Sequence, residues 1–403
     1  MKDNSINMYH PLSITDSVYY VGVNDRRKSL FENQWPLPCG VSYNSYLIVD
    51  EKVALIDTVD IGLADIILKK IESVLNGKTI DYLIINHMEP DHSGSIRVIR
   101  ERYPNIRLVG NAKTLDMLNG YFGITDGVQE IKDGDELDLG NRRLQFFLTP
   151  MIHWPETMMT FDEIGKILFS GDAFGAFGAL NGGVLDDAID TNVFWDDMRR
   201  YYACIVGKYA SPLQKALGKL QGIDMEYICS THGPVWHQNI AHVLDLHRQW
   251  SLYQGVPGVV IAYGTMYGNS EQMAEAIAQG VVAGGVPEVK LYDVARTDSS
   301  FILSDIFKYS GLVVGSSTYM NDLLPGVDSL LRKIETRGVK NRIFAAFGSF
   351  TWAGVSIKKI LPFAEQLQWE IVGNVEEKQA LKPVKYEECV ALGQQIAEKI
   401  KGK

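Results

Sequence analysis

Asn86-His87-Met88-Glu89-Pro90-Asp91-His92-Ser93-Gly94-Ser95 follows Tyr82-Leu83-Ile84-Ile85, an apolar run of strand length bounded by polar residues and proline. Four metal-ligand types, His87, Glu89, Asp91 and His92, therefore stand at the end of a buried strand. Along an extended backbone, positions 87, 89 and 91 project to one side, and His92 turns with the loop. Pro90 fixes its own φ and disfavours the helical region at Glu89, so a stiff loop is expected here and not the first turn of a helix. The bland alternative is a solvated loop rich in His and acid. Against it, two imidazoles and two carboxylates crowded at a strand end would desolvate and repel one another unless cations joined them. The donor count points to more than one cation.

Three further predicted strands end in a ligand-type residue beside Gly or Pro. Arg143–Leu148 runs into Thr149-Pro150-Met151-Ile152-His153-Trp154-Pro155-Glu156, Lys166–Ser170 into Gly171-Asp172, and Glu226–Cys229 into Ser230-Thr231-His232-Gly233-Pro234. Singly, each is an ordinary turn or core histidine. Together they allow one sheet to aim His153, Asp172 and His232 at a common site. His10, His237, His242 and His247 earn no such role. The last three recur every five residues in an expected helix, about 140° apart, so they share no face and are read as solvated or capping residues. Upstream, strands are expected over Val18–Val23, Ser45–Val49 and Val53–Asp57, with a turn at Asp50-Glu51. Helical spacing follows at Leu63, Ile66, Ile67, Ile71 and Val74, then a helix over Ile96–Glu101 and a strand over Arg107–Val109.

The 403 residues are about twice a usual domain, so two domains are expected. Residues 251–403 carry 16 basic and 16 acidic side chains, which leaves the whole net charge of −10 on the first 250. Basic clusters are absent, which argues against a nucleic-acid surface. The polar N-terminus, Met1–Val18, and the lack of any stretch of 18 apolar residues argue against a signal peptide or membrane span. Cys39, Cys204, Cys229 and Cys389 show no C-x-x-C pairing, which fits reduced thiols in a cytoplasm and excludes a fused Cys-ligated iron or zinc module.

A Gly/Pro link at Tyr253–Gly258 places the domain boundary at 254/255. Beyond it, strands at Val259–Ala262, Val289–Tyr292, Leu312–Val314, Ile343–Phe347 and Glu370–Val372 alternate with helices, the pattern of a doubly wound parallel sheet. Those helices are expected over Ser270–Val282, Leu323–Ile334, after Trp352 and over Tyr386–Lys399. Ligands of such sheets bind at the strands' carboxyl ends. The first of these loops, Gly264-Thr265-Met266-Tyr267-Gly268-Asn269-Ser270, opens a helix and offers hydroxyls and free amides suited to a phosphate monoester. It matches neither a dinucleotide nor a nucleoside triphosphate loop. Two later loops, Gly315–Asn321 with Ser317, Thr318, Tyr319 and Asn321, and Phe347–Gly354 with Ser349, Phe350, Trp352 and Gly354, set aromatic rings beside exposed amides. A planar polar ring such as an isoalloxazine suits them, so flavin mononucleotide is the expected ligand.

His87-x-Glu89-x-Asp91-His92, His153, Asp172 and His232 resemble the ligand set of the flavodiiron proteins, also called A-type flavoproteins, and residues from Gly264 on resemble their flavodoxin-like half. The resemblance covers nearly the whole chain, in order. It implies a metallo-β-lactamase-like αββα diiron domain over residues 1–254, followed by a flavodoxin-like FMN domain with a five-stranded parallel sheet over 255–403. It also implies that His87, Glu89 and His153 bind one iron, that Asp91, His92 and His232 bind the other, and that Asp172 bridges them. Ser317 stands where the family usually has proline. The implied activity is reduction of O2 to water, NO to N2O, or both, in a head-to-tail homodimer. No rubredoxin-like tail follows Lys403, so the resemblance implies an external donor, a rubredoxin-like protein or a reduced deazaflavin. A metal-dependent hydrolase with an appended electron carrier is the alternative. Hydrolases of this fold carry His where Glu89 stands, and an anionic oxygen donor there favours iron over zinc.

Overall fold

Residues 10–402 are described by the computed structural model. The first nine residues of the polar N-terminal stretch lie outside them. The chain divides into two compact units, Met1–Tyr202 with Tyr209–Arg248, and Ala203–Lys208 with Gln249–Lys403. That division falls earlier than the expected 254/255, because residues after Arg248 already join the second core. The Tyr253 ring lies 6.1 Å from Phe307, and its carbonyl accepts from Arg342 at 3.0 Å. Segment 203–208 goes with the second unit because the Arg337 guanidinium donates to the carbonyls of Ala203 (2.6 Å) and Cys204 (3.0 Å).

Among its described residues the first unit holds a seven-stranded and a five-stranded sheet. Strands of the first lie side by side in chain order: Leu12–Thr15, Val18–Tyr20, Tyr46–Val49, Val53–Ile56, Tyr82–Ile84, Arg107–Gly110 and Val128–Glu130. The second runs Glu136–Asp138, Arg143–Leu148, Met158–Asp162, Ile167–Gly171 and Tyr227–Ser230. Between the sheets the rings of Tyr46 and Phe169 stand 5.4 Å apart, and the Tyr46 hydroxyl donates to the Ser230 carbonyl at 2.6 Å. Helix Ala64–Leu75 buries Ile67, Ile71 and Leu75, the face given by its 3.6-residue spacing.

Two parallel pairings position the site. Tyr82–Ile84 runs parallel to both Val53–Ile56 and Arg107–Gly110, so Asp57 and the loop from Asn86 leave the sheet at one end. Ile167–Gly171 runs parallel to Tyr227–Ser230 with Gly171 opposite Ser230, which sets Asp172 beside Thr231 and His232.

Several expectations require correction. Pro90–Ser93 forms a short helical turn with Pro90 at its first position, not a stiff loop. The missing N–H of Pro90 costs nothing there, while Glu89 keeps the extended backbone (φ −59°, ψ 138°) that proline imposes on its predecessor. The strand expected over Val18–Val23 breaks after Tyr20, and Val23–Asp25 pairs instead with Val41–Tyr43. Gly22 lies at the break, where a β-carbon would meet the Tyr43 carbonyl oxygen at 2.5 Å. His247 is buried, donates from Nδ1 to the Val243 carbonyl (2.9 Å) and packs on Phe174, so it is no solvated residue. His237 precedes the helix Ile240–Ser251 and stacks on Tyr227.

The second unit is one sheet of five parallel strands in the spatial order Val289–Asp293, Val256–Gly264, Tyr309–Ser317, Ile343–Phe350 and Glu370–Lys378. By chain position that is 2-1-3-4-5, the flavodoxin order, with its crevice between the first and third strands. Helices Asn269–Ala283 and Pro383–Lys401 pack closely: a β-carbon on Gly280 would lie 2.0 Å from the Val390 carbonyl oxygen. Among the described residues no helix is long and apolar enough to cross a membrane, and all four cysteines are free.

Candidate functional site

All seven ligand-type residues picked from sequence converge at the carboxyl ends of the first unit's strands, as two clusters. His87, Glu89, His153 and Asp172 form one, and Asp91, His92 and His232 the other. Glu89 Oε2 lies 3.3 Å from His87 Nε2 and 3.0 Å from His153 Nε2, and Asp172 Oδ2 lies 3.1 Å from His153 Nε2. The other Asp172 oxygen, Oδ1, faces His92 Nε2 at 3.1 Å and His232 Nε2 at 3.9 Å, while Asp91 Oδ2 stands 3.4 Å from both imidazoles. Donors bound at 2.0–2.2 Å to one metal stand roughly 3.0–3.5 Å apart at tetrahedral or octahedral angles, so these spacings are those of two coordination shells sharing one carboxylate.

The polar atoms themselves make the same point. Among the described residues, Asp91 Oδ1 and Oδ2, His92 Nε2 and His232 Nε2 are buried without a hydrogen-bond partner. Such orphaned atoms are costly unless a cation takes their lone pairs. Carboxylates and imidazoles shift one another strongly here. Burial would lower the His92 and His153 imidazoles, but the carboxylates beside them, Asp91 and Asp172 for His92, Asp172 and Glu89 for His153, push both up to about 9. Burial would raise Glu89, yet hydrogen bonds from His153 and His87 take it down to about 2. Asp172 is held well below the usual carboxylate range by the surrounding imidazoles, against the opposing effect of its burial.

A second ring of residues, missed by sequence reasoning, orients the first. Glu156 Oε1 accepts from His87 Nδ1 (2.8 Å) and from the Met88 amide (2.9 Å). Buried Asp57 accepts from the amides of Asn86 (2.8 Å) and His87 (3.3 Å), and burial pushes its carboxyl up to about 6. The Ser42 carbonyl accepts from His232 Nδ1 at 2.7 Å, and the Thr231 hydroxyl donates to Asp172 Oδ1 at 2.6 Å. A cavity of about 380 Å³ opens beside the clusters, lined by Phe31, Glu32, Tyr43, Glu89 and Asp91 among others. Phe31 seals one wall, its ring 5.2 Å from His232.

In the second unit a cleft of about 430 Å³ is lined by Met266, Tyr267, Asn269, Ser317, Thr318, Tyr319, Asn321, Ser349, Phe350 and Trp352. Met320, Thr351 and Ala353, not singled out from sequence, line it as well. Thr265, Gly268, Ser270 and Gly354 do not. Thr265 Oγ1 closes the turn by accepting from the Gly268 amide (3.0 Å), and Gly268 takes a φ of +90° that favours glycine. Gly354 lies beside the Glu376 carboxylate, 2.7 Å from where a β-carbon would stand. Ser270 is buried at the start of helix Asn269–Ala283, its hydroxyl 2.9 Å from those of Ser317 and Ser349. Three hydroxyls at a helix N-terminus suit a phosphate monoester. Tyr267 (92 %), Met320 (83 %) and Trp352 (87 %) stand exposed at the rim, where a planar ring would lie.

Residues 41–233 match the family described as ODP family beta lactamase, and residues 261–393 match flavodoxin. The nitric oxide reductase of Moorella thermoacetica is 32 % identical over 399 residues, 98 % of this chain and 100 % of that protein. This chain belongs to the flavodiiron protein family. It is thus an oxidoreductase whose cofactors are FMN and a pair of irons. Flavodiiron proteins of known structure align along its length: rubredoxin oxygen:oxidoreductase from Desulfovibrio gigas with a TM-score of 0.93 and 31 % identity, covering 97 % of this chain and 99 % of that one. The flavodiiron protein of Giardia intestinalis gives a TM-score of 0.93 at 25 % identity, with 97 % of each chain covered. The anaerobic nitric oxide reductase flavorubredoxin of Escherichia coli is 31 % identical over 95 % of this chain and 81 % of that protein.

Proposed function

We propose that this chain reduces NO to N2O, O2 to water, or both, at irons held by the two clusters and supplied with electrons through FMN. His87, Glu89 and His153 would hold one iron, Asp91, His92 and His232 the other, and Asp172 would join them. The carrying observation is Asp172, whose two oxygens face different clusters at 3.1 Å. When bound, the iron pair supplies electrons to a small gaseous substrate. The chain's own residues set what that substrate meets. Phe31 and the buried Tyr43 ring line the cavity beside Glu89 and Asp91, while Lys28 and Glu32 give it polar groups in reach of water. The reaction consumes protons as well as electrons, since two NO, two electrons and two protons give N2O and water, and O2 takes four of each to give two waters. The cavity with Lys28 and Glu32 would be their way in. Glu89 is the donor that separates this reading from a zinc hydrolase.

The FMN phosphate would sit at Ser270, Ser317 and Ser349 with the ring against Tyr319, Phe350 and Trp352. Exposed Tyr267, Met320 and Trp352 favour a head-to-tail homodimer that covers this rim and brings one subunit's FMN to the other's irons. Sedimentation should give a dimer at working concentration, and a monomer with full steady-state turnover would end that claim. The electron donor would be a rubredoxin-like protein or a reduced deazaflavin, in a cytoplasmic setting consistent with four free cysteines.

Two substitutions test the assignment. Asp172→Ala should lose iron and gas reduction while flavin stays bound. Trp352→Ala should weaken flavin retention several-fold with iron content unchanged. Loss of both cofactors to the same degree in either variant would show that the sites are wrongly assigned.

A further inference from the structure

The histidines of the two clusters differ in what stands behind them. His87 Nδ1 faces a carboxylate, Glu156 Oε1, at 2.8 Å, whereas His232 Nδ1 faces the neutral carbonyl of Ser42 at 2.7 Å. His92 Nδ1 is buried with no hydrogen-bond partner among the described residues. Glu156 is itself only 1 % exposed and is fixed at three points: His87 Nδ1, the Met88 amide, and its own carbonyl, which accepts from Asn111 Nδ2 at 2.6 Å. Its second oxygen, Oε2, is buried and has no partner among the described residues. If its task were only to accept from Met88 and His87, a neutral amide would serve at a smaller desolvation cost.

We infer that Glu156 is a positioning residue that makes the two irons unequal. It locks His87 with Nε2 toward the metal and lends that imidazole negative charge, so the iron of the His87, Glu89 and His153 cluster is the more tightly held and the harder to reduce. This rests on the two-iron reading above and extends it. A carboxylate behind a metal-bound histidine raises its basicity, and removing such a partner costs about 10–100-fold in metal affinity.

The experiment compares purified holoprotein with Glu156→Gln, which keeps size and an acceptor oxygen but removes the charge, and with Glu156→Ala. Iron release to a chelator is followed together with the ferrous Mössbauer spectrum, the iron and flavin midpoint potentials and flavin content. Wild-type protein should release its irons in two phases. Glu156→Gln should speed the slow phase by about 10–100-fold, shift one of two Mössbauer doublets and raise one iron potential, with the fast phase, flavin content and flavin potential unmoved. Should Glu156→Ala fail to fold, Glu156→Gln decides alone. Release kinetics and spectrum like wild type in Glu156→Gln, or equal acceleration of both irons, would overturn the inference. Wild-type protein without an iron pair would instead overturn the two-iron reading, and that result is seen before any variant is compared.

Discussion

His247 shows how one side chain can be misread from spacing alone. It lies on the inner face of helix Ile240–Ser251 against Phe174 and Tyr202, and burial pushes its imidazole down to about 4. Because the folded value is depressed, the unfolded chain takes up the proton first, so stability contributed by neutral His247 is complete above pH 6.5 and is lost as pH falls toward 4. His247→Gln should therefore be less stable than wild type at neutral pH, with the gap narrowing by about 2 kcal/mol at pH 5. Urea unfolding of the metal-free proteins at both pH values checks this, and a gap independent of pH would contradict it. The seven donors were legible because each ends an apolar strand beside Gly or Pro, a signal that survives without coordinates. Glu156 and Asp57 were not. Their roles depend on pairing with amides and imidazoles far along the chain, 68 residues away for Glu156 and Met88 and 29 for Asp57 and Asn86.

At the scale of elements, hydrophobic periodicity found the helix Ala64–Leu75 by its buried face but missed Ala210–Lys219, whose stripe of Ala210, Leu213 and Ala216 is short and partly alanine, and missed helices without a stripe. Helix Ser299–Lys308, started by an Asp298 cap on the Ser300 amide, buries Ser300 and every residue from Ile302 to Phe307, so no stripe marks it. The turn Pro90–Ser93 was hidden for another reason: proline argues against helix at the residue before it, yet is well suited to a helix's first position. Close helix packing was likewise invisible in the sequence. Gly280 and Gly393 let helices Asn269–Ala283 and Pro383–Lys401 touch, with β-carbons on either lying about 2 Å from backbone oxygens of the other helix, Val390 and Ile277 respectively. Neither contact can yield by rotating a side chain. Gly280→Ala should destabilise the flavin-binding unit by about 1–3 kcal/mol through overpacking, seen as a lower melting temperature and easier flavin loss with iron content unchanged. An unaltered melting curve would show that the helices separate without cost.

Over the whole molecule, the division of labour follows from the two units. The side chains proposed to hold iron all come from residues 87–232 in the first, and the cleft proposed for the flavin from residues 266–353 in the second. The order of elements revealed the second architecture, since alternating strands and helices after the Gly/Pro link leave few alternatives to a doubly wound sheet, whereas the αββα reading of the first came from the resemblance of its ligand set. The exact change of unit was obscured because Tyr253 and segment 203–208 are claimed by Arg342 and Arg337 of the second unit. Anaerobic mixing of the fully reduced protein with NO, and separately with O2, while flavin and iron oxidation are followed, tests the central claim most directly. At least one gas should oxidise both cofactors within the mixing experiment, NO yielding one N2O per two NO consumed or O2 yielding water without free peroxide. Reduced flavin and iron that persist in the presence of both gases would contradict the account.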